Sequence, residues 1–312
     1  MAKDERKPED FIAPLIINGL QGRVLHLPAP NKKRSKEILV VYGHHSSLER
    51  WWGLAQVLNR YGAVTMPDLP GFGGMDSMYK IGRAPTLDNL ADYLASYVKM
   101  RYKRRRVVIA GISFGFLVVT RMLQRYPDLV KKVDFLASAA GFAHHDDFHL
   151  SRRRTLFFRY APVVLVNPVM AKAFRYIGLN KYLLNAVYSK TPNAKHKFEG
   201  VNDKALFQRM MDREVELWQN NDVRTYMCTT IEMFTVDNCT KQVDLPVWHV
   251  YSPTDNYFDH TLVEQHFLVI FNAFHDVPSK TLKHAPSVVA TAKESEVLVP
   301  PKLRRAFLAD YK

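Results

Sequence analysis

The sequence predicts an α/β protein: a mostly parallel central sheet flanked by helices, with a helical segment inserted between two of its strands. Three observations carry this. From Ile38 to Ser138, aliphatic and β-branched runs alternate with stretches whose apolar residues recur at helical spacing, the pattern of parallel strands joined by helical crossovers. From His144 to about Cys239 there are helical patterns and loops but no convincing strand pair. At Leu245 the strand and helix alternation resumes. With 312 residues, 47% of them hydrophobic, the chain can bury a core in one domain and still carry an insertion. The expected division is a core of residues 1–142 and 241–312 around an inserted helical segment, residues 143–240.

Leu15-Ile16-Ile17 and Arg23-Val24-Leu25-His26-Leu27 read as short strands joined through Asn18-Gly19 and Gln21-Gly22, which supply hairpin-turn chemistry. After a basic break at residues 31–36, Ile38-Leu39-Val40-Val41-Tyr42 is a continuous apolar run suited to a strand buried on both faces. A helix is expected from about Glu49 to Arg60, a strand at Ala63-Val64-Thr65-Met66, and a loop at residues 68–77 from its Pro and Gly content. Thr86 caps a helical pattern whose Leu87, Leu90, Ala91, Leu94 and Val98 share a face. Val107-Val108-Ile109 then meets Gly111-Ile112-Ser113-Phe114-Gly115, and a helix runs on to Tyr126, where Pro127 stops it. Residues 133–138 make one more strand. Beyond the insertion come a strand at residues 245–251, a turn at Ser252-Pro253-Thr254-Asp255, and a helix over roughly residues 261–274. A last strand near residues 279–283 and a helix after Pro300-Pro301 complete the chain.

Forty-four Lys and Arg against 30 Asp and Glu give a net charge of +14, which favours anionic surfaces such as lipid headgroups, nucleic acid or acidic metabolites. No nucleic-acid-binding motif accompanies the charge, so no nucleic-acid partner is expected; a solvated basic surface and peripheral contact with an anionic membrane remain. Cys228 and Cys239 stand alone, without a C-x-x-C pair, which suggests neither a zinc ribbon nor a disulfide framework and fits a reducing cytoplasm. The charged first ten residues are followed by no apolar stretch of signal-peptide length. The apolar stretch from Ala161 to Ala173 is broken by Pro162, Asn167 and Pro168 and falls short of the ~20 residues of a spanning helix.

The junction at residues 107–126 is the chemically pointed one. A strand, a tight turn with small residues at 111 and 115, and a helix force Ser113 into a strained conformation with its Oγ exposed, the nucleophile-elbow motif. An idle serine in a Gly-rich turn is the competing reading, and the flanking strand and helix speak against it. Two more stretches fall in order around it: Gly43-His44 after the Val40-Val41 strand, and Asp68-Leu69-Pro70-Gly71-Phe72-Gly73. Together these three resemble the oxyanion strand end, the D-x-P-G-x-G loop and the elbow of the α/β-hydrolase fold family, in particular its cap-bearing esterase and lipase-like members. The resemblance covers nearly the whole chain and is weakest in the insertion, which it implies is a cap, or lid.

The resemblance implies a Ser-Asp-His triad in that chain order. Ser113, Asp255 and His284 each follow an expected strand, where reactive groups of open parallel sheets gather. A serine hydroxyl needs an imidazole to take its proton and a carboxylate to fix the imidazole tautomer, so His284 is the expected base and Asp255 its orienter. Asp259 is expected to cap the next helix instead. The family's alternative acid position, after the preceding strand, reads Ser138-Ala139-Ala140-Gly141 and offers no carboxylate. Phe114 and His44 are the expected backbone N–H donors of an oxyanion hole. Here the chain departs from the family, whose usual His-Gly pair is Tyr42-Gly43; altered hydrogen bonding with retained function is expected.

The run His144-His145-Asp146-Asp147-Phe148-His149 has donors but no recognised metal-ligand spacing, and a polar hinge accounts for it. Arg104-Arg105-Arg106 precedes a strand and should lie at the end of the sheet remote from the site, whereas Arg152-Arg153-Arg154 opens the insertion near its mouth. The implied function is serine-dependent hydrolysis of a small-molecule acyl ester or lipid-like substrate, without metal or organic cofactor. A serine at the elbow argues against the aspartate chemistry of haloalkane dehalogenases and epoxide hydrolases. The alternative is a non-catalytic binding or scaffold protein of the same fold, at a membrane surface through its charge.

Overall fold

The computed structural model describes residues 6–31, 36–180, 183–184, 203–280 and 290–309. Among these, one sheet of eight strands is formed by β1 (Ile12–Ile17), β2 (Leu20–Leu27), β3 (Lys36–Val41), β4 (Gly62–Pro67), β5 (Val107–Ile112), β6 (Val133–Ala139), β7 (Val243–Tyr251) and β8 (Phe271–Pro278), in the order β1-β2-β4-β3-β5-β6-β7-β8. β1 and β2 form a hairpin through Asn18 (φ 52°) and Gly19 (φ 80°), the pair of positive φ angles that a two-residue turn of the right twist demands. β2 meets β4 antiparallel, and every later pairing is parallel.

β3 to β6 lie at the centre and are apolar on both sides, which is why their sequences read as continuous runs. Helices α1 (Trp52–Asn59), α2 (Leu87–Arg101) and α3 (Phe114–Arg125) are the crossovers. Later in the chain come α4 (Arg152–Val166), α5 (Pro168–Ile177), α6 (Lys204–Asn220), α7 (Val223–Met233), α8 (His260–Ile270), the short α9 (Ala292–Ser295) and α10 (Pro301–Leu308). Phe116 of α3 packs on Phe267 of α8, while Phe307 of α10 packs on Phe135 of β6 and on Tyr61 after α1, so both faces of the sheet are covered. The chain runs outward from β3 to β4 and then returns to place β5 on the other side of β3. Such a reversal, here at the carboxyl ends of β3 and β5, is where open parallel sheets gather their reactive groups.

One element departs from the sequence expectation. Among the described residues the last strand is Phe271–Pro278, in part where the sequence predicts helix, and α8 ends at Ile270 rather than near residue 274; residues 281–283 of the expected strand lie outside the described residues. No Gly or Pro marks the change: Phe271 simply turns extended (φ −106°, ψ 146°), and pairing of Val247 with Phe274 and Val250 with Val277 holds the segment on β7. It is the edge strand of the sheet, and most of its residues are only partly buried, with no clear alternation.

Helices α4 to α7 lie in the segment between β6 and β7. Its two ends are tied together at a neck, where His144 bridges Asp237, His145 N–H donates to Val236 O (2.9 Å) and Asn238 N–H donates to Ala143 O (3.1 Å). Ala171, Leu179, Leu184, Val215, Val223 and Met227 give the insertion an apolar cluster of its own.

Candidate active site

Ser113 is the hinge of the β5 to α3 junction, with φ 48° and ψ −120°. A non-glycine residue pays about 1–3 kcal/mol to sit there, so the surroundings must enforce it. They do: Ser113 N–H is held by Ala139 O of β6 at 2.9 Å. The helix must also start close to the sheet. A Cβ at Gly115 would stand 2.2 Å from Val41 O, and one at Gly111 2.6 Å from Phe116 Cα. Phe114 is the first residue of α3, so its N–H has no partner within the helix, at the end where the helix dipole is positive.

The turn after β3 passes directly over the serine: a Cβ at Gly43 would lie 3.4 Å from Ser113 Cβ. His44 follows, its ring set against Tyr226 (4.3 Å between centroids), Phe72 (5.5 Å) and Phe114 (5.6 Å). Its Nε2 is 2.9 Å from Thr229 Oγ1, whose own hydroxyl donates to Thr225 O, and 3.3 Å from Tyr226 O. Both neighbours accept, so the imidazole proton is on Nε2. Desolvation pushes its pKa down to about 4, and at neutral pH His44 is a neutral ring that pins its loop to α7. His45 takes a positive φ of 52°, and its Nδ1 accepts from Asn221 Nδ2 at 3.1 Å.

Tyr42, in the place of the family's usual histidine, donates its buried hydroxyl to Asp68 Oδ1 (2.8 Å) and accepts the N–H of Leu69 (2.9 Å). Arg23 Nε donates to Asp68 Oδ2 at 3.0 Å, and its Nη1 to Glu49 Oε1 at 2.6 Å. Burial pushes the Asp68 carboxyl up to about 7, against the pull of Arg23 and Tyr42. The loops beside Ser113 are thus tied to the sheet by Tyr42 and by the buried carboxylate that opens the D-x-P-G-x-G loop; the motif marks Asp68 but not its bonds to Tyr42 and Arg23.

Asp255 sits on the turn after β7, two strands from β5, with its N–H on Ser252 O (3.1 Å) and its Oδ1 accepting from Tyr257 N–H (2.7 Å). Asp259 accepts from the N–H groups of Thr261 (2.9 Å) and Leu262 (3.3 Å) as the cap of α8. The structure brings Ser113, Phe114 and Gly43-His44 together and puts Asp255 at the same edge of the sheet; His284 lies outside the described residues.

The family model described as "alpha/beta hydrolase fold" matches residues 36–180. The chain has the α/β-hydrolase fold. Among solved structures, an acetylester hydrolase from Corynebacterium glutamicum superposes with a TM-score of 0.67 at 12% identity, over 96% of this chain and 95% of that one, a likeness of fold. Among curated relatives, a pimeloyl-acyl-carrier-protein methyl ester esterase of Vibrio cholerae is 28% identical over 35% of this chain and 40% of its own. Human protein ABHD8 is 34% identical over 31% of this chain and 22% of its own. The chain thus spans less than half the length of these two relatives.

Three other histidines of this α/β-hydrolase fold, His249, His260 and His266, are engaged elsewhere. His249 is buried in β7 with Nδ1 3.0 Å from Ser138 Oγ, and burial drives its pKa down to about 3. His260 pairs with Asp276 at 3.3 Å; Asp276 belongs to β8, three strands from β5, or roughly 14 Å across the sheet at the usual strand spacing. His266 Nδ1 meets Asp147 Oδ1 at 2.5 Å, and the other Asp147 oxygen accepts from the N–H groups of Ala143 (2.8 Å) and His144 (2.9 Å). His144, His145 and Asp146 bring possible ligand atoms within 4.8 Å of one another. They lie at the neck, where His145 Nδ1 is 3.0 Å from Val236 O. Arg105 and Arg106 pair with Glu37 and Asp134 at the amino ends of the strands, the end remote from Ser113. Among the described residues no helix is long and apolar enough to cross a membrane.

Proposed function

We propose that the protein is a serine hydrolase acting on a small-molecule ester or related, lipid-like acyl compound through an acyl-enzyme on Ser113. The observation that carries this is the strained Ser113 (φ 48°) at the carboxyl end of β5 with Gly43-His44 passing over it. In the proposed reaction Ser113 Oγ attacks the acyl carbonyl while the His284 imidazole takes its proton. The N–H groups of Phe114 and His44 hold the oxyanion, and Asp255 orients His284 and balances its charge. The intermediate collapses as His284 returns the proton to the leaving alcohol; water, activated by the same imidazole, then frees the acid. The assignment of His284 rests on chain order and on the family resemblance.

In the same reading residues 143–240 are the cap over the site, a boundary supported by the neck between His144 and Asp237. Its α7 side walls the site beside His44 and excludes water from the acyl-enzyme. The cysteines Cys228 and Cys239 are both unpaired, which favours the cytoplasm as the place of action.

Reaction with a fluorophosphonate ester, followed by peptide mass analysis, should label Ser113. Ser113→Ala should abolish labelling and lower p-nitrophenyl ester hydrolysis by roughly 10³-fold or more, with Asp255→Asn also strongly impaired and Asp259→Asn near the parent rate. A Ser113→Ala protein hydrolysing at the parent rate sinks the assignment. Absence of labelling in the folded parent would favour the non-catalytic scaffold.

A further inference from the structure

The outer face of the insertion has a composition that the fold itself does not call for. On α4 the inward side is made by Phe158, Pro162, Leu165 and Val166, yet Leu156, Phe157 (63% exposed), Tyr160 (60%), Val163 and Val164 (58%) point to solvent. These outward residues recur at helical spacing, so α4 is apolar on both sides while only one side is covered. The next helix, α5, repeats the pattern with Val169, Met170, Tyr176 and Ile177, the last two 71% exposed. Half of the large exposed hydrophobic residues among the described ones, nine of eighteen, fall between residues 156 and 177.

Charge in the same stretch has one sign. From Phe148 to Phe198 the sequence contains no Asp or Glu. Arg152, Arg153, Arg154, Arg159 and Lys172 are exposed on α4 and α5, whereas Arg175 is occupied by the carbonyls of Gln219 and Asn221 (both 2.7 Å). We infer that this face of α4 and α5 docks on an anionic lipid surface. Such a surface offers apolar and anionic ground together, the combination that amphipathic helices with Arg and aromatic residues select. Nucleic acid would answer the arginines and leave the apolar residues in water. A two-fold contact with a second copy would press this cationic face against itself. The docking does not depend on the chemistry of Ser113.

The test is cosedimentation of the full chain with vesicles of mixed phosphatidylglycerol and phosphatidylcholine, and of phosphatidylcholine alone. Partition into the anionic vesicles should exceed that into the neutral ones by at least roughly tenfold at low salt and fall as salt is added. Phe157→Ser with Val164→Ser, and separately Arg152→Gln with Arg153→Gln and Arg154→Gln, should each lower it by roughly tenfold or more with the thermal melt unchanged. Ser113→Ala should bind as the parent does, which separates this result from the fate of the hydrolase reading. No binding to the anionic vesicles, equal binding to both kinds, or parent-like binding by both surface variants overturns the inference. So does a dimer, seen by sedimentation equilibrium, that Phe157→Ser with Val164→Ser dissolves, since the face would then belong to a second copy.

Discussion

The two sides of the insertion meet the rest of the molecule in opposite ways. On the α7 side the contacts with the core are polar and specific: Asp222 N–H donates to Gly71 O (2.8 Å), Gly73 N–H to Asn221 Oδ1 (2.8 Å) and Leu87 N–H to Glu232 Oε2 (2.8 Å), while Thr225 Oγ1 meets Ser77 Oγ at 2.8 Å and Thr229 holds His44. Of these, the Thr229 contact fixes the Gly43-His44 loop that passes over Ser113, and the others tie the insertion to residues 71–87. On the α4 and α5 side the outward residues are apolar or cationic. Buried polar groups are costly unless matched, so a matched set records a position the fold must hold. Exposed apolar groups contribute little to the fold, so a dense set of them records something outside it.

The largest way to break the anchored side is through the carboxylate beneath it. Asp68→Ala removes one of the two carboxylate partners of Arg23 together with the acceptor of the buried Tyr42 hydroxyl, and should cost about 2–3 kcal/mol of stability in urea titration. Asp68→Asn, which can still accept from Tyr42, should cost clearly less. Equal and small losses in both variants would show that the network does not hold these loops.

Acid should loosen the same region next. His44 and His249 have folded pKa values of about 4 and about 3, below the 6.5 of a free imidazole. Above pH 6.5 both are neutral, folded or unfolded, and their contribution is fully present. As pH falls below 6.5 the unfolded chain takes up protons that the folded one refuses, and stability is lost progressively toward pH 4 and pH 3. Asp68, raised to about 7, has the opposite sign: its contribution is complete below 3.8 and is lost as pH rises through 7. Between pH 4 and 6.5 two of these groups oppose one, so their joint contribution falls on acidification, in the same direction as the lowered pKa values of His26, His144, His260 and His275. Urea titrations at pH 4.5 and 6.5 check this, and Asp68→Asn should steepen the loss; a parent protein as stable at pH 4.5 as at 6.5 would contradict the expected acid loss.

Thr229→Val sharpens the comparison at a single bond. It removes an acceptor of His44 Nε2–H without changing side-chain size much, and a buried donor left short costs about 1–3 kcal/mol. Because His44 is proposed to carry an oxyanion donor, kcat/KM on an acetyl ester should fall as well, by roughly tenfold. Lower stability with unchanged kcat/KM would leave Thr229 a structural contact only.

These contacts mark where sequence reading stops. The alternation that gives β3 to β6 their order is local and was legible, as were Ser113, Gly43-His44 and the Asp68 to Gly73 loop, since each motif sits at a strand end. β8 was not legible because an edge strand whose residues are mostly half-buried without alternation, entered straight from a helix, carries no local signal. Arg23, Tyr42 and Asp68 meet only because β2, β3 and β4 are neighbours in the sheet. His44 and Thr229 are 185 residues apart in the chain, and nothing in the periodicity of either segment foretells their bond.

The smallest expected effect concerns the other side. Substitution of exposed residues away from caps, pairs and strained backbone changes stability within about 0.5 kcal/mol. Phe157→Ser and Val164→Ser should therefore leave the urea midpoint nearly unchanged, although each exchanges a large apolar group for a hydroxyl. Phe158→Ala, one residue along the same helix turn, should cost about 3 kcal/mol, since its ring stacks on Phe234 at 5.3 Å and packs against the main core. That contrast between neighbours separates a side chain kept apolar by folding from one kept apolar for another reason. A loss at Phe157 as large as that at Phe158 would place the outer face of α4 in the folded core and remove the ground for distinguishing the two sides.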